Sequence, residues 1–228
     1  MATRAEQFTR SASPSGAAKA DEGPSSARAE TAFARKERER RAERAARMDE
    51  LAGRRDGYRE RHAYYYAEID RLAQFFIPKG ASVLEIGCST GDLLANLEPS
   101  RGVGIDISPR IIERAKEKHA GKSGLEFRVG DAEKLAEQFT EGETFDWIVM
   151  TDVIGHVDDV WTVLRGLQKV MRPESRLFLT YFAFAWELPM RAAAAVGAKM
   201  PVPEQNWLGQ ADLENLLKLN DLDVVQHG

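Results

Sequence analysis

The sequence predicts an α/β fold, a doubly wound and mostly parallel sheet with helices on both faces. Three observations carry this expectation. Apolar runs of strand length alternate with segments of helical periodicity. The first run, Val83-Leu84-Glu85-Ile86, breaks into the turn Gly87-Cys88-Ser89-Thr90-Gly91 and then into a helical face begun by Leu93 and Leu94. The next run, Gly102-Val103-Gly104-Ile105, ends in Asp106, 19 residues after Gly87. A strand that turns through glycines into a helix lets backbone approach a ligand with no Cβ in the way, and the amides at the helix start face it. A carboxylate ending the second strand stands where ribose hydroxyls are bound in such sheets. The two strand ends together propose a nucleoside-containing ligand.

The elements follow in chain order. The first 26 residues are rich in Ser, Ala, Gly and Pro and read as disordered. Residues 28–56 carry ten Lys or Arg against seven Asp or Glu, whereas the whole chain has a formal charge of -4. Mixed signs and helix formers there predict a solvated, charge-laced helix, so residues 1–56 are expected to form an arm outside a domain of residues 57–228. Tyr58 to Phe76 predicts a helix with Tyr65, Ile69, Leu72 and Phe76 toward the sheet, ended by Ile77-Pro78-Lys79-Gly80. Leu125 to Val129 predicts a third strand, followed by Gly130-Asp131-Ala132. Phe145 to Met150 predicts a fourth, with Thr151, Asp152 and His156 beyond its carboxyl end, the edge where ligands sit in open α/β sheets. A helix from Asp158 to Met171 is expected to stop at Arg172-Pro173, followed by a fifth strand, Arg176 to Phe182. Ala211 to Leu219 reads as a helix with Leu213, Leu216 and Leu217 inward, and Leu222 to Val225 as a sixth strand.

Details of the first loop separate candidate ligands. A dinucleotide site uses G-x-G-x-x-G, whose second glycine admits a pyrophosphate; here the loop has Ser89 in the middle, and Glu85 lies two residues before Gly87. An acid at that place suits a cationic ligand. At these residues the chain resembles the class I S-adenosylmethionine-dependent methyltransferases, whose first motif is E/D-x-G-x-G-x-G, with Ser89 standing in the middle glycine position. The resemblance runs in order across residues 57–226, about three quarters of the chain. It implies a Rossmann-like sheet and S-adenosyl-L-methionine as cofactor, held by Glu85, Gly87, Cys88, Ser89, Gly91, Asp106, Ile107, Asp131, Ala132 and Thr151. It implies that Asp131 accepts from the adenine amino group, and that the leading helix closes over the cofactor, which makes Tyr58, Tyr64, Tyr65 and Tyr66 lid candidates. The family's final antiparallel strand has no counterpart in the sequence, so an open sheet edge is expected, and that edge or the arm is a candidate contact for a second copy or a partner chain.

Composition limits the function further. At 228 residues and 43% hydrophobic the chain is long enough to bury a full core. There is no run of 18 apolar residues and hence no expected membrane span. The amino terminus has no apolar signal core, and Asp21, Glu22 and Glu30 argue against a transit peptide. The single cysteine, Cys88, has no intramolecular disulfide partner and reads as loop packing, which agrees with a reducing, cytoplasmic setting. The Asn/Asp-Pro-Pro-Tyr/Phe sequence of base-methylating enzymes and a Pro-Cys nucleophile are both absent, and an acidic domain suits phosphate backbones poorly, which argues against nucleic acid as acceptor. A small molecule, lipid or glycan is expected, against a wall formed by Tyr181 to Leu208 with Phe182, Phe184, Trp186, Met190, Met200 and Trp207.

The leading expectation is therefore methyl transfer to oxygen or nitrogen. If the acceptor must lose a proton, His156 is the first candidate base and Asp152 the second, while a structural role for His156 is the competing reading. The alternatives are a noncatalytic methyltransferase-like partner subunit and an NAD-dependent oxidoreductase, the latter disfavoured by the loop.

Overall fold

The computed structural model describes residues 32–182, 184, 187–196 and 206–226. Three helices, α1 (Ala32–Ala52), α2 (Arg55–Arg61) and α3 (Ala63–Phe76), lead into the sheet. The strands are β1 (Ser82–Ile86), β2 (Arg101–Asp106), β3 (Leu125–Val129), β4 (Phe145–Thr151) and β5 (Met171–Thr180). They form one sheet in the order β3-β2-β1-β4-β5, with every pairing parallel. The order reverses at β1, so the carboxyl ends of β1, β2 and β4 frame a crevice. The connecting helices are α4 (Asp92–Asn96), α5 (Pro109–Lys118), α6 (Leu135–Gln138) and α7 (Val160–Leu167), and α8 (Glu187–Ala195) and α9 (Gln210–Lys218) follow the last strand.

The two faces follow from side-chain alternation. On one, Leu84, Ile86, Ile105, Ile148 and Met150 pack with Leu135, Leu164 and Leu167 and with Leu213 of α9; on the other, Val83 and Val149 pack with Ala73, Leu93, Leu94 and Ile112. Each of the Val, Leu, Ile and Met side chains contributes about 1.5–3 kcal/mol by leaving water. Helix starts are capped where the sequence supplies an oxygen. Ser108 Oγ accepts from the Ile111 amide at 3.1 Å with Pro109 in the first helical position, and Asp159 Oδ1 accepts from the Thr162 amide at 3.0 Å.

The structure departs from the sequence reading in four places. The expected helix from Asp158 to Met171 is α7, which ends at Leu167, and Met171 already pairs with Phe145. Arg172-Pro173 lies within β5, because among the described residues this is the edge strand of the sheet and residues 172–175 loop out of register between the Phe145–Met171 and Trp147–Arg176 pairs. Ser175 fastens that bulge, accepting from the Arg172 amide at 2.8 Å and donating to the Phe145 carbonyl at 2.6 Å. Leu222 to Val225 forms no strand: the chain wraps back over the end of α9, the Leu222 amide donates to the Leu217 carbonyl at 3.0 Å, and Leu222 packs on the core. The expected single helix from Tyr58 is broken between α2 and α3 at His62. The residues expected to be disordered, 1–26, lie outside the described residues.

The fourth departure concerns the arm, because α1 is no solvated rod. Met48 and Ala52 are buried against Ile111 of α5, and Asp49 accepts from the Ser108 hydroxyl, so the helix is fixed to the start of α5.

Candidate cofactor and acceptor site

A cavity of about 470 Å³ lies beyond the carboxyl ends of β1, β2 and β4, within the size range of small-molecule sites. The loop after β1 forms its floor. The amides of Gly87 and Cys88 both donate to the Ile105 carbonyl, at 2.8 and 2.9 Å, which ties the loop to β2. Gly87 has φ 73° and a Cβ there would overlap Val153, so the turn needs glycine for packing as well as for ligand approach. Ser89 is left-handed at φ 50°, the conformation that the middle glycine would adopt without strain. Gly91, at φ 76°, does not line the cavity; a Cβ there would overlap Phe127, so its part in the loop is structural.

Two buried carboxylates face this floor. Asp106 is 7% exposed, and its oxygens accept from the Ser89 amide at 3.2 Å and the Ser108 amide at 3.0 Å. Burial raises its pKa above the usual carboxylate value, against the pull of the Ser108 amide and Arg55. Glu85 is 2% exposed and accepts from the Leu94 amide at 3.2 Å. Burial pushes it well above the usual value, with the Leu94 amide and Arg59 opposing. A cation bound above Glu85 would favour its ionised form. Cys88 is buried and its thiol is pushed up by burial, so it acts as packing: its side chain occupies the space left by Gly104.

Asp131, Ala132, Ile107 and Thr151 line the same cavity. Asp131 opens a short 3-10 turn, accepting from the Glu133 amide at 3.0 Å, and its carboxylate is also 3.2 Å from Arg41 Nε. Arg41 and Arg44 of α1 were not singled out from the sequence, nor was Glu133. The Glu133 side chain is 1% exposed and receives Arg44 at 3.1 Å, Arg41 at 3.3 Å and the Asp158 amide at 2.8 Å. Arg44 also donates to the His156 carbonyl at 3.0 Å. The positions Glu37, Arg41, Arg44, Met48 and Leu51 recur at helical spacing, a stripe that a count of apolar residues alone overlooks.

The far wall comes from α2 and α3. Arg55, Tyr58, Arg59, Tyr65 and Tyr66 line it, whereas Tyr64 is 86% exposed and is removed from the lid candidates. Arg59 is paired with Asp70 at 3.2 Å and lies over the Tyr66 ring. Asp152 and His156 both line the cavity. Asp152 has φ 59° and accepts from the Tyr65 hydroxyl at 2.5 Å and the Thr180 hydroxyl at 3.1 Å. Of the expected acceptor wall, Phe182 lines the cavity and stacks on Tyr65, while Phe184 is 61% exposed. Trp186 and Met200 lie outside the described residues, as does the side chain of Met190.

A parallel sheet with its order reversed at β1, a glycine turn after β1 and acids ending β2 and β4 define a class I S-adenosylmethionine-dependent methyltransferase domain. The chain belongs to the methyltransferase domain family, whose model matches residues 77–221. This sets aside the nicotinamide oxidoreductase reading. The chain is 33% identical over 159 residues to a ubiquinone biosynthesis O-methyltransferase of Bartonella bacilliformis, covering 64% of this chain and 61% of that protein. It is 28% identical over 158 residues to the human mitochondrial ubiquinone biosynthesis O-methyltransferase, covering 64% of this chain and 42% of that one. It thus spans less than two thirds of the length of these relatives. A chain in the complex between the Haloferax volcanii Trm112 methyltransferase activator and a methyltransferase has a TM-score of 0.64 at 20% identity, covering 78% of this chain and 77% of that one. At that identity the likeness is one of fold.

Proposed function

We propose that this chain transfers the methyl group of S-adenosylmethionine to a hydroxyl oxygen of a small organic acceptor. The observation that carries the reading is the placement of Asp106 and Asp152, at the ends of β2 and β4, in one cavity floored by the Gly87 loop. Asp106 is assigned to the ribose hydroxyls, Asp131 and Ala132 to the adenine, and the backbone of Gly87, Cys88 and Ser89 with Glu85 to the methionine end; Ile107 and Thr151 complete the walls. The choice of oxygen is supported by the names of the curated relatives.

A sulfonium methyl group is already activated, so the protein's work is to hold it in line with the acceptor and keep water out. Orientation of this kind is worth about 7–11 kcal/mol. Asp152 and His156 line the cavity, and proton removal from the acceptor is assigned to them. Calorimetry with S-adenosylhomocysteine and NAD side by side tests the cofactor: binding of the first alone is expected, and binding of NAD alone overturns the reading. Radiolabelled methyl transfer to phenol, catechol and butanol beside aniline tests the acceptor atom. Turnover confined to the amine overturns the oxygen assignment.

A further inference from the structure

We propose that Tyr65 is a positioning residue, which from helix α3 holds Asp152 as the base that takes the acceptor's hydroxyl proton. The inference rests on reading the site as a hydroxyl methyltransferase. Asp152 is fixed from two elements: Tyr65 of α3 donates to Oδ2 at 2.5 Å, and Thr180 of β5 donates to Oδ1 at 3.1 Å. Its backbone is held as well, the amide donating to the Thr180 carbonyl at 3.0 Å with φ at 59°. A left-handed aspartate costs energy and persists only where its surroundings over-determine it, as they do at functional sites.

Tyr65 is suited to donate and not to titrate. Burial, and then the charge of Asp152, push its phenol far above the usual tyrosine value. Donors to a carboxylate favour its ionised form, the form that can take up a proton. The other ionisable groups in these walls include Tyr66 of α3, Arg55, Tyr58 and Arg59 of α2, His62 between the two helices, and His156 beyond β4. In the reaction the acceptor oxygen forms a bond to the methyl carbon as the sulfur–carbon bond breaks. The bonding pair stays on sulfur as a neutral thioether, and the acceptor's proton passes to Asp152. Because Tyr65 belongs to α3, the orientation of the base depends on that helix being packed over the strand ends.

The test uses the full chain saturated with S-adenosylhomocysteine and carbon-13 labelled at aspartate carboxyls. The resonance lost in Asp152→Asn identifies Asp152. Tyr65→Phe keeps the ring on Phe182 and removes only the donor, so the titration midpoint of Asp152 is expected to rise by about one pH unit. Replacing Tyr65 by 3-fluorotyrosine, a stronger donor, is expected to lower it. A midpoint unmoved by both replacements, with changes confined to cofactor affinity and melting temperature, reduces Tyr65 to a latch for α3 and overturns the proposal. With catechol as acceptor, Tyr65→Phe is expected to lower kcat at least tenfold and to leave the KM for S-adenosylmethionine within a factor of about two. The carboxyl titration decides the role of Tyr65 even if no hydroxyl acceptor is turned over, a result that overturns the functional reading instead.

Discussion

The backbone amide of Ser89 donates to Asp106 Oδ2 across 3.2 Å, which joins the loop after β1 to the last residue of β2. One carboxylate thereby shapes the ligand loop and faces the cavity. Removing it should act on both.

Asp106→Ala is expected to weaken S-adenosylmethionine binding by about 1–3 kcal/mol, the range for losing a charged hydrogen-bond partner. Isothermal titration of the folded variant measures this. Unchanged affinity would remove Asp106 from the site.

Gly87→Val should fail by a route visible without ligand. Its side chain overlaps Val153 and its backbone must stay at φ 73°. The left-handed cost alone is about 1–2 kcal/mol, so the ligand-free melting temperature is expected to fall by several degrees. A wild-type melting curve would show that the loop can move aside.

Removing α1 should damage the domain. Deleting residues 1–53 exposes the face around Ile111 and leaves Glu133, whose side chain is 1% exposed, without Arg41 and Arg44. A buried carboxylate stripped of its partners costs about 3 kcal/mol or more. Thermal denaturation of this deletion, and of Arg41→Ala with Arg44→Ala, should show a clear loss; unaltered melting would restore the solvated arm.

Glu85 sets a pH dependence. Its folded pKa lies above the ordinary 4.5, so the folded state binds more protons than the unfolded state above that value. The stability of the ligand-free protein should therefore fall as pH rises from about 4.5 through the folded pKa. Glu85→Gln should remove this decline and gain on the wild type as pH increases. The same variant should lose more affinity for cationic S-adenosylmethionine than for neutral S-adenosylhomocysteine. Equal losses would show that Glu85 does not sense the sulfonium charge.

His156→Ala separates two roles. A lost general base lowers turnover by about 10²–10⁴ with cofactor affinity kept, whereas a structural histidine lowers affinity or melting temperature instead. A variant normal in all three measurements excludes His156 from the site.

Much of the sheet was legible because its strands announce themselves. Val83 to Ile86 and Phe145 to Met150 are apolar runs interrupted only by Glu85 and Asp146, as expected for strands buried on both faces, and each is followed by a glycine or polar residue that the cavity uses. Where the reading failed, a count of apolar residues was not enough to decide. α1 docks through Arg41, Arg44 and Glu133, whose charges read as solvated until the partner on the 3-10 turn is known. Arg172-Pro173 signals a helix stop, yet a parallel edge strand accommodates both in a bulge. Tyr65 was one tyrosine among four candidates, and only the short bond to Asp152 distinguishes it.

The bulge in β5 has a bearing on solubility. A sheet whose outermost strand presented a long row of unsatisfied amides and carbonyls would template aggregation. Here Pro173 contributes no amide, Ser175 draws the Arg172 amide inward, and Arg172 is paired with Asp146 at the surface. Only the five residues from Arg176 to Thr180 continue in regular register with β4, shorter than the six- or seven-residue segments that seed fibrils. Straightening the bulge, by trimming residues 173–175, would lengthen that template and is the change to avoid in any stabilised variant of this chain.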